Sequence, residues 1–410
     1  MIRRAALLAF AIAAPGCSSD GAPTGVDDPV VDEESIAEDD LALTPATGPL
    51  RFSRACRSGE RVTIAAVGDV MPHEPLQRQA YARGWWTVFG GMTKWLDDAH
   101  VTYGNLESPT ARGIAYTGAL VADPGPVFDD WVYTDTPFNV HRGILGALRS
   151  AAFDILGAAN NHALDRFSLG VDRTLDAMDA AGIAHVGAVR ATRRGSFSTR
   201  VVRNGFDLRF VACTFSTNGI FDGADQVTHC YLERSRLLST VRSLRADPDV
   251  DAVIVVPHWG AEYSDTPRLK EIDLAHEILE AGATAIIGSH PHVLQPWEKY
   301  VTRDGRETFI AYSLGNFVSR HYYLTLARRT SILLYLGLTR GSDGKTFVNG
   351  VRYMPIYTRY SGGNWNVTAI DEMGDEVGGY PDARRLATTM FGEWNVRYPG
   401  QPLDTTPECR

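Results

Sequence analysis

The segment IIGSHPHVLQ, residues 286–295, runs two isoleucines and a glycine into His290-Pro291-His292. Imidazoles placed there either line a polar loop or coordinate a metal, and two of them alone do not decide it. The rest of the chain holds matching pieces. Gly68-Asp69, Gly104-Asn105-Leu106-Glu107, Asn160-Asn161-His162 and His258-Trp259-Gly260 each close a strand-like run. Singly, each has an ordinary explanation, Asp69 or Asn161 as a helix N-cap or His258 as an imidazole bonded to backbone. Together they bring an aspartate, a glutamate, asparagines and four histidines to strand ends, and that assigns His290 and His292 as metal ligands. Carboxylate, amide and imidazole donors without thiolate suit Mn, Fe or Zn better than a Cys-rich structural zinc. Asp69, Glu107, Asn161, His258, His290 and His292 are too many for one ion with open positions. They are about right for two divalent ions that share a carboxylate. Such a pair, roughly 3.5–4 Å apart, can orient a hydroxide and clamp an in-line displacement at phosphorus. His162 is left to protonate the leaving oxygen.

The elements that must position these residues alternate between strand and helix. RVTIAAVGD, HVTYGNLE, DILGAANNH, DAVIVVPHWG and TAIIGSHPH read as strands, the first a continuous apolar run suited to burial on both faces. Helical stretches are expected near 85–99, 137–152, 169–182, 233–246 and 267–281. Ligands of open α/β sheets bind at the carboxyl ends of the strands. The five strands are therefore expected to deliver their polar residues to one sheet edge. TRVVRNGFDLRFVACTF reads as a hairpin across Asn204-Gly205, and the pattern beyond residue 296 turns antiparallel, with a last helix at 381–394. The seven histidines outside the pattern, His100, His185 and His276 among them, are given surface or packing roles. The pattern shows no internal repeat and no second core, so it reads as one domain of mixed α/β type.

The chain begins with a basic Met1-Ile2-Arg3-Arg4 and the ten-residue apolar run AALLAFAIAA, too short to span a bilayer, followed by Gly16-Cys17. Residues 1–17 read as an export signal. They resemble a bacterial lipoprotein signal, in which Cys17 would be lipidated and would anchor the protein to a membrane. An ordinary signal peptide is the alternative, since Ala14 and Pro15 depart from the lipoprotein pattern. Residues 18–57 read as an acidic, disordered tether, with nine carboxylates and no Lys or Arg before residue 51. Arg3, Arg4 and those carboxylates apart, the chain carries 38 basic and 40 acidic residues, which offers no basic field for nucleic acid. Cys56, Cys213, Cys230 and Cys409 form no C-x-x-C pattern, and an even number in an exported chain points to disulfides. Of the three possible pairings, Cys213–Cys230 with Cys56–Cys409 is the expected one, closing a short loop and tying the two ends of the folded unit.

The motifs GDVM, GNLE, NNH, HWGAEY, GSHPHVLQP and YSLGNF, in this order over roughly residues 60–320, resemble the CapA family. That family is named for poly-gamma-glutamate capsule biosynthesis and grouped with calcineurin-like metallophosphoesterases. The resemblance implies a four-layer α/β/β/α sandwich, spanning 58–360 here, with 361–410 as an extension packed on it. It implies Asp69 as the first-strand aspartate, Glu107 in the place of the bridging aspartate, and Asn161, His258, His290 and His292 as ligands, with His162 as the acid. The wider superfamily has a histidine two residues after the first aspartate, where this chain has Met71; His73 is the candidate substitute. Glu262, Gln295 and Asn316 stand in the motifs as supporting or substrate contacts, and Asn105 and Asn160 as further candidates beside the ligands. The function implied is an exported dinuclear-metal hydrolase of a phosphoester or related bond in capsule or cell-envelope polymer metabolism. Its expected partners are an anionic polymer or phosphoester substrate and proteins of capsule synthesis or export. The alternatives are a non-catalytic polymer-binding, tethering or export component, or a generic exported phosphodiesterase. Polymerising glutamate would need ATP-dependent activation, and without a P-loop motif a direct ligase is excluded.

Overall fold

Two β-sheets stack face to face in a computed structural model of the chain, which describes residues 48–192, 195–373 and 380–409. The expected export signal with Cys17 and most of the expected tether lie outside the described residues. The first sheet runs in the order β14 (Asn364–Ala369), β13 (Thr346–Ser361), β12 (Thr330–Arg340), β1 (Glu60–Met71), β2 (Val101–Leu106), β3 (Ile155–Gly157), β4 (Ala184–Val186). Short β11 (Asn316–Ser319) pairs parallel with the end of β1, opposite Asp69–Met71. The second sheet runs β5 (Ser198–Arg203), β6 (Phe206–Thr214), β7 (Ala252–His258), β8 (Ala285–Ile287), β10 (Glu307–Leu314), β9 (Leu294–Val301). Pairs β1–β2–β3–β4 and β6–β7–β8–β10 are parallel, whereas β12, β13, β14, β5 and β9 join antiparallel.

The alternation of side chains along the second sheet makes the layers. Leu208, Phe210 and Ala212 of β6, with Ile254 and Val256 of β7, point into the core shared with the first sheet. Val211, Cys213, Val253 and Val255 point the other way, onto α6 (Arg234–Ala246) and α7 (Leu269–Ala281) through Leu237, Val241, Leu274 and Ile278. Every residue of β7 is buried, as a strand covered on both faces requires. Across the sheet interface Tyr103 of β2 stacks on Phe210, ring centroids 6.1 Å apart. The remaining layer packs on the first sheet: α1 (Glu74–Arg83), the short α2 (Trp86–Phe89) and α3 (Thr93–Leu96), α4 (Gly143–Ser150) and α5 (Phe167–Ala181). The result is an α/β protein built on two mixed sheets with helices outside them.

Local chemistry explains where the elements differ from the expected ones. The helix expected at 85–99 is broken into two four-residue turns by Gly90-Gly91, which form a 3₁₀ turn; a side chain at Gly90 would collide with the Trp86 ring. The helix expected from 137 starts only at Gly143, and residues 107–142 form a long irregular segment. Arg166, fully buried, holds that segment by donating to the carbonyls of Ile114, Val132 and Pro137 and to Thr134 Oγ1. α8 is a single turn, Leu326–Arg329, and α9 (Tyr380–Phe391) packs on both sheets, with Phe391 against Trp297 of β9 and Tyr353 of β13. Both expected disulfides form, Cys56–Cys409 and Cys213–Cys230.

Candidate metal centre

The polar strand ends do not come from one sheet. β1, β2 and β3 of the first sheet supply Asp69, Glu107 and Asn160-Asn161-His162, whereas β7 and β8 of the second supply His258 and the Ser289–His292 turn. The expected single edge is corrected to the joined carboxyl edges of two stacked sheets. A parallel bridge between His258 and Ser289 locks the two second-sheet ends together.

At the centre stands Glu107, 0% exposed, with neither carboxylate oxygen hydrogen-bonded among the described residues. Burying a carboxylate without a hydrogen bond is unfavourable, and a cation held between it and the neighbouring imidazoles would offset that cost. Glu107 is shared by two groups whose donor atoms lie within 4.8 Å of one another: Asp69, Glu107 and His258, and Glu107, His290 and His292. His258 Nε2 lies 3.3 Å from Glu107 Oε1, and His292 Nε2 lies 3.7 Å from it. Asn161 Oδ1 sits 2.9 Å from His258 Nε2, and His290 Nδ1 3.1 Å from the same nitrogen. Convergence of so many lone pairs on one spot is what a cation would reward. Oxygen and imidazole donors, with a carboxylate common to both groups, fit a pair of divalent ions.

The electrostatics agree with that fit. Burial, and then the neighbouring Asp69 charge, push the Glu107 carboxyl well above the usual carboxylate range. Burial acts on Asp69 in the same sense, but the hydrogen bond and charge of His292 outweigh it and hold Asp69 below its ordinary value. Burial drives His258 down to about 3 and His290 well below its ordinary value, so both are neutral imidazoles with lone pairs to offer. His292 goes the other way: burial opposes its charge, but Glu107 and Asp69 push it up to about 10.

The HPH turn pays a backbone penalty to reach this arrangement. His290 and His292 both sit at positive φ, 103° and 59°. Such conformations in non-glycine residues cost of order 1–3 kcal/mol each and persist only where the surroundings fix them. Asp69 Oδ2 accepts the His290 N–H at 3.2 Å, Pro291 O accepts the Tyr263 N–H at 2.8 Å, and Asn316 Nδ2 donates to His292 O at 3.0 Å.

The supporting candidates fall into place unevenly. Asn105 donates to Asp69 Oδ1 at 2.7 Å and lies 3.1 Å from His258 Nδ1; Asn160 donates to Leu106 O and Asn105 Oδ1. Asn316 Oδ1 meets His292 Nδ1 at 2.9 Å. Gln295, buried, donates to Ser264 O, and Glu262 is exposed. His73 uses Nδ1 on Met71 O at 3.0 Å, and burial lowers it to about 3. His162 Nδ1 lies 2.8 Å from Asp165 Oδ2, with the Phe138 ring edge-on at 4.7 Å. Burial disfavours the charged form of His162, but Asp165 overcomes this and raises it.

One histidine was missed. His321, given a surface or packing role on sequence, is 7% exposed and lies against the centre, ring centroids 4.7 Å from His292 and 4.8 Å from His73. The signal available was its place four residues beyond the YSLGNF motif. The pairing of β11 with the end of β1, which sets that strand end beside the centre, is not visible in one sequence.

Comparison with known proteins places these motifs. Residues 63–321 match the family described as "Bacterial capsule synthesis protein PGA_cap". The chain is 28% identical over 297 residues to "Capsule biosynthesis protein CapA" of Bacillus anthracis, covering 69% of this chain and 65% of that one. It is likewise 28% identical over 263 residues to "PGA biosynthesis protein CapA" of Bacillus subtilis (strain 168), covering 64% of each. The match thus spans just under two thirds of these relatives' own lengths. Among solved structures the chain is similar to the Thermus thermophilus sulfate thiohydrolase SoxB (TM-score 0.41, 12% identity, 81% of this chain and 60% of that one). It is also similar to purple acid phosphatase PPD1 of yellow lupin (TM-score 0.30, 11% identity, 75% and 53%). With the family match extending from β1 through His321, the chain belongs to the bacterial capsule synthesis protein family PGA_cap.

Proposed function

We propose that the protein is a dinuclear-metal hydrolase of a phosphoester or related bond, working on capsule or cell-envelope polymer. The observation that carries this is Glu107, a buried carboxylate without a hydrogen bond that two separate donor groups share. Asp69, Glu107, Asn161 and His258 would hold one divalent ion, and Glu107, His290 and His292 the other. Bound there, the ions would supply Lewis acidity and neutralise charge developing at the reacting centre. Asp165, a positioning residue, fixes the His162 ring by accepting from Nδ1, which leaves Nε2 to carry the proton for the leaving oxygen. Phe138, whose N–H also reaches Asp165 Oδ2 at 2.6 Å, packs beside that ring and limits water around it. The names of the CapA relatives support capsule or poly-gamma-glutamate metabolism as the setting.

The two disulfides suggest an extracytoplasmic location, and no helix among the described residues is long and apolar enough to cross a membrane. We place the protein at the cell envelope, anchored through lipid on Cys17, with capsule synthesis or export proteins as neighbours. Cys17→Ser would then release it from membranes; a wild type found wholly in the soluble fraction would remove the anchor. The function itself is tested by elemental analysis and turnover on the same sample. Full-length protein reconstituted with Mn, Fe or Zn should hold close to two ions per chain and hydrolyse bis(4-nitrophenyl) phosphate. Metal content near zero would end the metalloenzyme reading. Two ions without hydrolysis of any phosphoester would favour a polymer-binding role.

A further inference from the structure

Beside the metal centre lies a set of donors that the proposed chemistry does not use. His321 Nε2 is buried and has no hydrogen-bond partner among the described residues, and neither has Nε of the preceding Arg320. An unmade hydrogen bond at a buried polar atom costs about 1–3 kcal/mol. The Arg320 Nε–H can only donate, and the His321 Nε2 donates in the tautomer that protonates it, so the pair calls for an acceptor. His73, half-buried, completes one side, its ring 4.8 Å from His321 and its Nδ1 3.3 Å from the Arg320 N–H. Arg328 closes the other, with its guanidinium carbon 3.4 Å from the centroid of the Tyr263 ring, which lies 5.7 Å from His321 and 6.1 Å from His292.

No carboxylate among the described residues pairs with Arg320 or Arg328. Arg320 rests on the Trp365 ring instead, 5.6 Å to its centroid, as Arg328 does on Tyr263. Arg190, Arg236, Arg340 and Arg384, by comparison, each pair with two acids. Backbone bonds hold the pair to the centre: Asn316, which meets His292 Nδ1, also donates to Arg328 O. The charge of Arg320 acts on His73 and that of Arg328 on His321, so both arginines stand within electrostatic reach of the His73–His321–His292 cluster, where Glu262 is the facing acid that also acts on His292.

We propose that His73, Arg320, His321 and Arg328 form an anion subsite that takes a carboxylate or phosphate of the substrate adjoining the bond to be cleaved. Its nearness to His292 sets the reach: the anionic group sits on the unit next to the reacting one, as in a polymer with a charge on every unit. Arginine supplies the planar fork that matches either oxyanion, and His321, in the tautomer that protonates Nε2, the further donor. The subsite deepens the hydrolase reading and rests on it for the identity of the neighbouring bond, but its occupancy is measurable without turnover.

The test is calorimetric titration of the metal-loaded full chain with two probes, a γ-linked hexaglutamate peptide and inorganic phosphate. Wild type is compared with Arg320→Gln/Arg328→Gln, His321→Ala and the conservative Arg328→Lys, and each variant is checked for unchanged metal content and melting temperature. The double variant should bind its probe about tenfold or more weakly, the effect of roughly 1.4 kcal/mol or more of lost charge-assisted bonding, with partial recovery in Arg328→Lys. Weakening for the peptide alone identifies a carboxylate, and weakening for phosphate alone identifies a phosphate. Equal affinity of wild type and the double variant for both probes, metal being retained, overturns the subsite even if hydrolysis is found. Subsite-dependent binding without any hydrolysis would keep it and discard the hydrolase reading.

Discussion

Glu107 separates a metal site from a merely polar core more cleanly than any histidine does. Its carboxyl is buried and accepts no hydrogen bond among the described residues. Burial and the Asp69 charge oppose its ionisation, so holding the carboxylate form is costly unless a cation answers it. Glu107→Gln keeps the shape and removes the charge. In a chelator the variant should therefore be as stable as wild type or more so, by about 1–3 kcal/mol, since an uncompensated buried group has gone. With metal the order should reverse, because only wild type gains binding energy that raises its melting temperature. Thermal unfolding of both proteins with and without metal measures this, and a variant less stable in both conditions would show Glu107 to be structural. His162 calls for a different readout. His162→Ala should retain metal while slowing hydrolysis of a diester with a poor leaving group by about 10²–10⁴-fold, the usual range for a lost general acid. An activated aryl ester, whose leaving group needs little protonation, should suffer far less. His290→Ala should lose metal and activity on both esters together; equal losses on both esters in His162→Ala with metal retained would leave His162 without this role.

Strand ends hold these residues because their register is enforced by backbone contact, and glycines mark where the chain passes closest. Gly288, between β8 and the HPH turn, is the sharpest case: a Cβ there would lie 2.1 Å from Tyr312 O and 2.7 Å from Trp259 Nε1. That indole already donates to the same carbonyl at 3.1 Å, so neither neighbour can yield cheaply. Gly288→Ala should destabilise the fold by about 2 kcal/mol or more through overpacking. It should also lower metal content in the fraction that stays folded, because the displaced turn carries His290 and His292. Melting temperature and elemental analysis together check this; normal metal content at reduced stability would mean that the turn is held by its own bonds to Asp69 and Asn316. At this scale the sequence was legible wherever burial on both faces leaves an apolar run, as in AVIVVPH and TIAAVGD. It was not legible where pairing partners are remote. Nothing in the runs themselves says that β1–β3 and β7–β8 belong to different sheets, or that β11 folds back beside β1 and carries His321 inward. The helix break at Gly90-Gly91 was missed although its cause is local, Gly90 passing the Trp86 ring four residues before it.

The two disulfides act on the molecule in different ways, and that difference gives a test at the largest scale. Cys56–Cys409 joins residues 353 apart and ties the ends of the fold, where Leu50 also exchanges hydrogen bonds with Asn395. Cys213–Cys230 joins residues only 17 apart. A cross-link stabilises mainly by restricting the unfolded chain, more for longer loops, with about 2–4 kcal/mol typical. On that ground Cys56→Ser/Cys409→Ser should lose more stability than Cys213→Ser/Cys230→Ser. Activity should follow the opposite order. Cys213 lies in β6, and the chain leaving that strand places Phe215 against His290, ring centroids 4.4 Å apart, and Asn218 beside His162. Cys230 returns next to it by donating its N–H to Thr214 O. Opening the short bridge loosens the segment that packs against a candidate ligand and the candidate acid, whereas opening the long one frees chain ends that supply none of the site residues. Assayed well below both melting temperatures, the 213/230 variant should therefore turn over diester more slowly than wild type, and the 56/409 variant at the wild-type rate. Equal activity in the two variants would show that the 213–230 bridge serves stability alone.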